Sequence, residues 1–194
     1  MNPLKLAVIV GSNRRDSLNR KLAEALVRLG GNRVAAHFVR IDDLAMYSID
    51  IDSDQDRPEA VRRFNREVSE ADAVLVVTPE FNRSIPAVLK NAIDWGSRAA
   101  PRGGVWRGKV AAITGTSPGA IGTAVGQQHL RQVLGVLGSL VMGGEAYISF
   151  KPGLIDEDGT ITDESTRDFL QAYMDDFLAV AEKLRAPAPA ARAA

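Results

Sequence analysis

The sequence contains no cysteine and only two histidines, His37 and His129. The lack of cysteine excludes disulfides, Cys-ligated zinc, iron–sulfur clusters and thiol nucleophiles. Two histidines with no second histidine or cysteine near either one indicate structural roles, so we expect no metal site. The chain also lacks net charge, because 24 basic residues balance 24 acidic ones. A neutral chain argues against a general nucleic-acid binder.

Long apolar runs are missing as well, and none approaches the roughly 18 residues of a membrane span. The N-terminal run 4–10 contains Lys5, and it has neither a basic n-region nor a small-residue cleavage site. We therefore expect a buried strand there, not a signal peptide, and a cytoplasmic protein. Length and composition predict one domain over residues 1–185 and a mobile Ala/Pro-rich tail over 186–194.

Short aliphatic runs alternate with amphipathic patterns along the chain. Their Val, Ile and Leu content indicates strands buried on both faces. The alternation predicts an α/β fold, a flavodoxin-like doubly wound five-stranded parallel sheet in the order 2-1-3-4-5 with helices on both faces. The predicted strands are 4–10, 34–41, 73–78 and 109–114, with a fifth at 140–142 or 146–150. The predicted helices are 17–29, 58–70, 86–98, 122–140 and 166–185.

Three polar loops follow strands that this order places side by side. Strands 1 and 3 are neighbours whose connections leave to opposite faces, and their carboxyl ends flank the crevice where ligands bind. Loops 11–19 and 79–85 lie at this crevice, and the glycine-rich loop 115–119 is the next one along. We therefore expect all three loops to contribute to one site.

The first loop carries hydroxyls, an amide and two arginines and leads into a helix N-terminus, which together suit a terminal phosphate. It is neither a Walker loop nor a Gly-x-Gly-x-x-Gly motif, because Asn13 occupies the second glycine position. By itself the loop is equally compatible with an ordinary polar turn in which Asp16 or Ser17 caps the helix. A phosphate here and a flat ring against the other two loops would have the outline of FMN.

The motifs in these loops resemble the NADPH-dependent FMN reductase family, which includes quinone, chromate and azo-dye reductases. The resemblance extends from about Leu4 to about Met142. The motifs are Gly11-Ser12-x-Arg14-x-x-Ser17-x-Asn19, Thr78-Pro79-Glu80-Phe81-Asn82-x-Ser84-x-Pro86, Leu89-Lys90-Asn91-Ala92-Ile93-Asp94-Trp95 and Gly119-x-Ile121-Gly122 with His129-Leu130-Arg131-Gln132.

The resemblance implies that the first loop holds the FMN phosphate, the second lines the isoalloxazine ring, and Ser117 touches the flavin or its ribityl chain. Two positions depart from the usual family pattern. Phe81 replaces a common tyrosine, and Arg83 stands where smaller or aromatic residues are frequent. The candidate cofactor-binding residues are Ser12, Arg14, Ser17, Leu18, Asn19, Pro79, Glu80, Phe81, Asn82, Arg83 and Ser117.

The same resemblance implies an enzyme in which NAD(P)H reduces bound FMN, and a quinone, free flavin, azo compound or metal oxyanion such as chromate then takes the electrons. We predict no catalytic side chain, because the cofactor carries this chemistry. The alternative is a flavodoxin-type electron carrier, but its usual acidic surface and Arg-free phosphate loop do not match this neutral chain with Arg14. NADPH and NADH both stay open as reductants, with Arg83 and Arg102 as candidate partners of a 2′-phosphate.

Other predictions concern assembly and isolated residues. Family members are typically dimers or tetramers, so we expect a homodimer or homotetramer formed through 122–140 and 86–98. The alternative is that the polar faces of these helices simply meet solvent. The alternating aspartates in 50–56 fail the calcium-loop pattern, which predicts a solvated loop. Trp95 is predicted in the core, and Trp106 at the surface, an interface or a lid.

Overall fold

The computed structural model describes residues 2–98 and 103–185, so the predicted tail 186–194 and Arg102 lie outside the described residues. The strands are β1 (Leu4–Val10), β2 (Val34–Val39), β3 (Ala73–Val77), β4 (Val110–Ser117), β5 (Leu140–Val141) and β6 (Ala146–Ser149). The helices are α1 (Leu18–Gly30), α2 (Glu59–Glu70), α3 (Ala87–Ser97), α4 (Ala124–Val136) and α5 (Glu164–Leu184). Short 3₁₀ turns occupy Gly31–Arg33, Ile49–Ile51 and Gly104–Trp106.

The sheet is parallel and has the order β2-β1-β3-β4-β5, which confirms the predicted doubly wound topology. The far edge differs from the prediction. One fifth strand was predicted at 140–142 or 146–150, and the structure has a strand at each location. β5 pairs with 110–111 and β6 with 114–117 of the same β4. The chain leaves the ladder between them, and the Arg131 guanidinium donates to the carbonyls of Met142 and Gly144 there. Those side-chain bonds satisfy carbonyls that an unbroken strand would have paired.

Two apolar cores cover the two faces of the sheet. One joins alternate residues of β1 to α1 and α5, and the other joins the remaining residues to α2, α3 and α4. Trp95 lies in the second core, as predicted. Trp106 is buried there too, and its indole Nε1 donates to the Ile93 carbonyl at 3.0 Å. The prediction of a surface, interface or lid position for Trp106 is wrong, because Gly96 leaves room for the indole.

The aspartate-rich segment is anchored on α3, so the prediction of a solvated loop is wrong for Asp52. Its carboxylate is buried and accepts hydrogen bonds from Arg57 at 2.6 Å and Arg98 at 2.9 Å. Burial raises the pKa of Asp52, but the two guanidinium groups outweigh it and hold the pKa below its usual value. An aspartate in this state serves as an ion-pair anchor for the segment, which rests on the helix that follows the second loop.

No helix in the described part of the chain is long and apolar enough to cross a membrane. Within residues 2–98 and 103–185, no group of three or more acidic or histidine side chains is arranged to hold a metal ion.

Candidate functional site

The three polar loops start side by side at the carboxyl edge of the sheet. The Gly11 amide donates to the Val77 carbonyl at 2.9 Å, and the Thr78 amide donates to the Thr114 carbonyl at 3.0 Å. Thr78 packs so tightly that a Cβ on Gly11 would lie 2.3 Å from its Oγ1, and one on Gly115 would lie 2.0 Å from its carbonyl oxygen. Glycine at both positions therefore lets the loops converge, as the topology predicts.

The first loop offers the groups that a phosphate requires. Ser17 caps α1 in an extended conformation, and its Oγ accepts from the Arg20 amide at 3.2 Å. The amides of Leu18 and Asn19, the first two of α1, have no intrahelical acceptor and lie at the positive end of the helix dipole. Ser12 is half-buried and Arg14 is exposed. Hydroxyls, helix-terminal amides and a guanidinium form an anion cradle, so this donor set fits the phosphate of FMN.

Asn19 has a structural task that the sequence did not reveal. Its side chain is buried, its Nδ2 donates to the Thr116 carbonyl at 2.9 Å, and its Oδ1 accepts from the Thr116 amide at 2.9 Å. The side-chain amide thus fastens the start of α1 to the end of β4. Contact between Asn19 and a phosphate stays a prediction, and its backbone amide is the group best placed to provide it.

The second loop folds into a two-residue hairpin. Phe81 and Ser84 exchange two backbone hydrogen bonds of 2.9 Å, and Asn82 and Arg83 between them have φ angles of 51° and 63°. Positive φ at both central positions defines a type I′ turn, which asparagine tolerates well at the first of them. Arg83 has no such tolerance, and the left-handed conformation costs it roughly 1–2 kcal/mol. Phe81 lies at the base of the turn and is 57% exposed. Its aromatic ring is therefore available to a planar ligand.

Glu80 fixes this hairpin to α4. Its carboxylate is mostly buried and accepts from the Gly126 amide at 2.9 Å, while its other oxygen lies 3.3 Å from Arg83 Nη1. His129 adds a second contact, 3.1 Å from its Nδ1 to the Ser84 hydroxyl. A carboxylate that accepts from an amide in the first turn of a helix, as Glu80 does here, is favoured by the helix dipole. The side chain of Glu80, predicted to line the flavin, is therefore engaged with α4. Pro79 precedes it, two residues after the end of β3.

The third loop turns back on itself around Ser117. The Ser117 hydroxyl donates to the Gly122 carbonyl at 2.7 Å and accepts from the Gly119 amide at 3.2 Å. These contacts commit its proton to the loop and leave an oxygen lone pair for a ligand. Ile121 is 51% exposed on the same loop. Ile121 belongs to the family motif Gly119-x-Ile121-Gly122, but it was not among the predicted cofactor-binding residues.

Comparison with known proteins gives a consistent result. The sequence model of the family described as NADPH-dependent FMN reductase matches residues 4–153. A 2-hydroxy-1,4-benzoquinone reductase of Burkholderia sp is 51% identical over 178 residues, covering 91% of this chain and 95% of that protein. A quinone reductase of Pseudomonas putida is 47% identical over 174 residues, covering 89% and 91%. The structure of FerB, a flavoenzyme NAD(P)H:(acceptor) oxidoreductase from Paracoccus denitrificans, is similar with a TM-score of 0.88 and 43% identity, covering 94% of this chain and 100% of that one.

Proposed function

Because the chain belongs to the NADPH-dependent FMN reductase family, we propose that it is an FMN-dependent NAD(P)H oxidoreductase that reduces quinones. The observation that carries this proposal is the convergence of three polar loops around Thr78, with an anion cradle on one and an exposed aromatic ring on another. Relatives that are named quinone reductases make a quinone the best-supported acceptor. Free flavins, azo compounds and chromate are the further acceptors to compare with it.

FMN, when bound, supplies the redox chemistry by taking a hydride equivalent from the nicotinamide and giving two electrons to the acceptor. The protein has three tasks in this scheme: binding, orientation and partial exclusion of water. The cradle at Ser12, Arg14 and Ser17 would bind the phosphate. Phe81 and Ile121 would border the ring with apolar surface, since both are largely exposed at the loops concerned. Because both side chains are exposed, NAD(P)H and quinone can use the same space in turn, as a ping-pong reaction requires.

Reduction of the purified yellow protein by NADPH or NADH under anaerobic conditions tests this function. We expect the flavin absorbance to be bleached without any protein partner and restored when a benzoquinone is added. A flavodoxin-type electron carrier would keep its colour, because it depends on a separate reductase to supply its electrons. A protein that stays yellow with both nucleotides would contradict the proposal.

Arg14→Ala is expected to weaken FMN binding about 10- to 100-fold. The reason is that it removes a charge-assisted hydrogen bond to the phosphate, worth roughly 1.5–3 kcal/mol. Quenching of FMN fluorescence during titration of the apoprotein measures the dissociation constant. Arg66→Ala, at an exposed arginine of α2, is the matched control and should bind FMN like the parent. Equal affinities in all three proteins would remove Arg14 from the site.

We further propose that the protein is a homodimer or homotetramer. α4 presents Gln128, His129 and Val136 on its exposed side, with Val136 83% exposed. Mixed polar and apolar surface of this kind suits a subunit interface. Light scattering at micromolar concentration should give two or four times the 20.9 kDa chain mass. A mass near that of one chain, with full reductase activity, would show that these residues simply meet solvent. The cytoplasmic location stays a prediction.

A further inference from the structure

A cavity of about 510 Å³ lies between the first loop and the end of β2, beside the candidate FMN site. Ser12 and Arg14 border it, whereas Ser17 and Asn19 of the phosphate cradle do not. Its volume falls within the range of sites for small organic ligands. The side chains that give it its character are Arg14, Arg15, Arg20, Arg40, Phe38 and Asp42.

Four arginines and one aspartate line the cavity, in a chain without net charge. Arg20 pairs with Glu24 at 2.6 Å, and Arg40 pairs with Asp42 at 2.7 Å and with Asp43 at 3.7 Å, so the excess positive charge comes from the arginines of the first loop. Arg15, exposed in the first loop, adds positive charge at the same opening. A phosphate monoester carries about 1.5 to 2 negative charges near neutral pH and binds best to arginine groups. The lining is therefore suited to a phosphorylated ligand.

The wall opposite the loop offers a stacking surface for a planar base and polar groups for a ribose. The Arg20 guanidinium stacks over the Phe38 ring, 3.9 Å from its centroid, and its outer face is a planar surface on which a base can stack. Arg40 and Asp42 follow β2. In Rossmann-type dinucleotide sites an acidic residue at this position binds a ribose 2′-hydroxyl, and an arginine nearby accommodates a 2′-phosphate. Both residue types are present here, and Arg40 is the group that would hold the phosphate.

We propose that this cavity binds the 2′-phosphoadenosine end of NADPH. Arg15 and Arg40 hold the 2′-phosphate, and the adenine stacks on Arg20 above Phe38. Arg14 is left to the FMN phosphate on the boundary between the two sites. The proposal rests on the proposed function, which makes NAD(P)H a substrate, and it adds that the enzyme prefers NADPH. Arg15 and Arg40, and not Arg83 or Arg102, are then the residues that select NADPH over NADH.

The direct test is calorimetric titration of the purified full-length protein with adenosine 2′,5′-bisphosphate, AMP and inorganic phosphate. We expect the bisphosphate to bind about 10-fold or more tightly than AMP, since one charge-assisted contact is worth that factor or more. Arg15→Ala combined with Arg40→Ala should reduce its affinity to that of AMP, Arg15→Ala alone should reduce it partly, and Arg66→Ala should leave it unchanged. Three results would overturn the proposal. They are equal affinity for the bisphosphate and AMP, unchanged affinity for the bisphosphate in the double variant, and inorganic phosphate that binds as tightly as the bisphosphate.

Steady-state kinetics supply the second test. The double variant should raise KM for NADPH about 10-fold and leave KM for NADH nearly unchanged. Arg83→Ala is the competing variant, and loss of NADPH preference in it but not in the double variant would also overturn the proposal. The titration needs neither bound flavin nor turnover. A protein that binds the bisphosphate as expected but shows no NAD(P)H oxidation would therefore contradict the proposed function and not the cavity.

Discussion

Asn19→Asp is expected to lower the free energy of unfolding by roughly 3 kcal/mol, although it replaces only one amide group with an oxygen. In the native protein the Asn19 amide both donates to and accepts from the backbone of Thr116. A carboxylate keeps the acceptor but places a charged oxygen against the Thr116 carbonyl, 2.9 Å from the present donor. The side chain is buried, so water cannot relieve this repulsion. Urea unfolding followed by circular dichroism measures the loss.

Asn13→Asp is the matched control, because it makes the same chemical change at an exposed position of the same loop. It should cost little stability, as most surface substitutions do. Asn19→Asp should also weaken FMN binding, because the start of α1 loses its attachment to β4. Equal stability of the two variants would show that the pairing with Thr116 contributes nothing to the folded state.

Gly115→Ala, near the carboxyl end of β4, is expected to lower the free energy of unfolding by a comparable amount. The added methyl group would lie 2.0 Å from the Thr78 carbonyl oxygen and 2.5 Å from Thr123 Oγ1. Such overpacking costs roughly 1–3 kcal/mol or more, because the neighbour is backbone and cannot rotate away. The second and third loops are pushed apart, so FMN affinity should fall together with the thermal midpoint.

Gly135→Ala serves as the control for this substitution. Its added methyl group would meet no atom within 4 Å, and the residue lies in the last turn of α4. Alanine is favoured over glycine in the middle of a helix by roughly 0.5–1 kcal/mol. In the last turn the gain is smaller, so this variant should be as stable as the parent or slightly more stable. A Gly115→Ala protein with an unchanged midpoint and unchanged flavin affinity would show that the two loops can separate without consequence.

The order of strands and helices could be predicted because each buried strand is a short aliphatic run between turn residues. The split edge could not, since a linear pattern does not show that β5 and β6 both pair with β4. Trp106 follows two glycines, a composition typical of loops. In the folded chain, Gly104 instead packs against the Gly96 carbonyl, beside the buried indole.

Within the candidate site, the sequence predicted which loops meet but not how their side chains are used. Asn19 and Glu80 were both interpreted as ligand contacts. Their hydrogen-bond partners, Thr116 and Gly126, lie 97 and 46 positions away, and no local pattern indicates such pairs. The type I′ hairpin was equally hidden, because Arg83 is a residue that this turn normally disfavours.

The attachment of the hairpin to α4 makes these two elements one mechanical unit. Glu80 holds the start of the helix and Ser84 meets His129 one turn further along. If α4 packs against a second copy of the chain, then the position of Phe81 is thermodynamically linked to subunit association. Linkage is reciprocal, so any ligand that draws the hairpin into a preferred position must tighten the oligomer by the same factor by which assembly tightens the ligand.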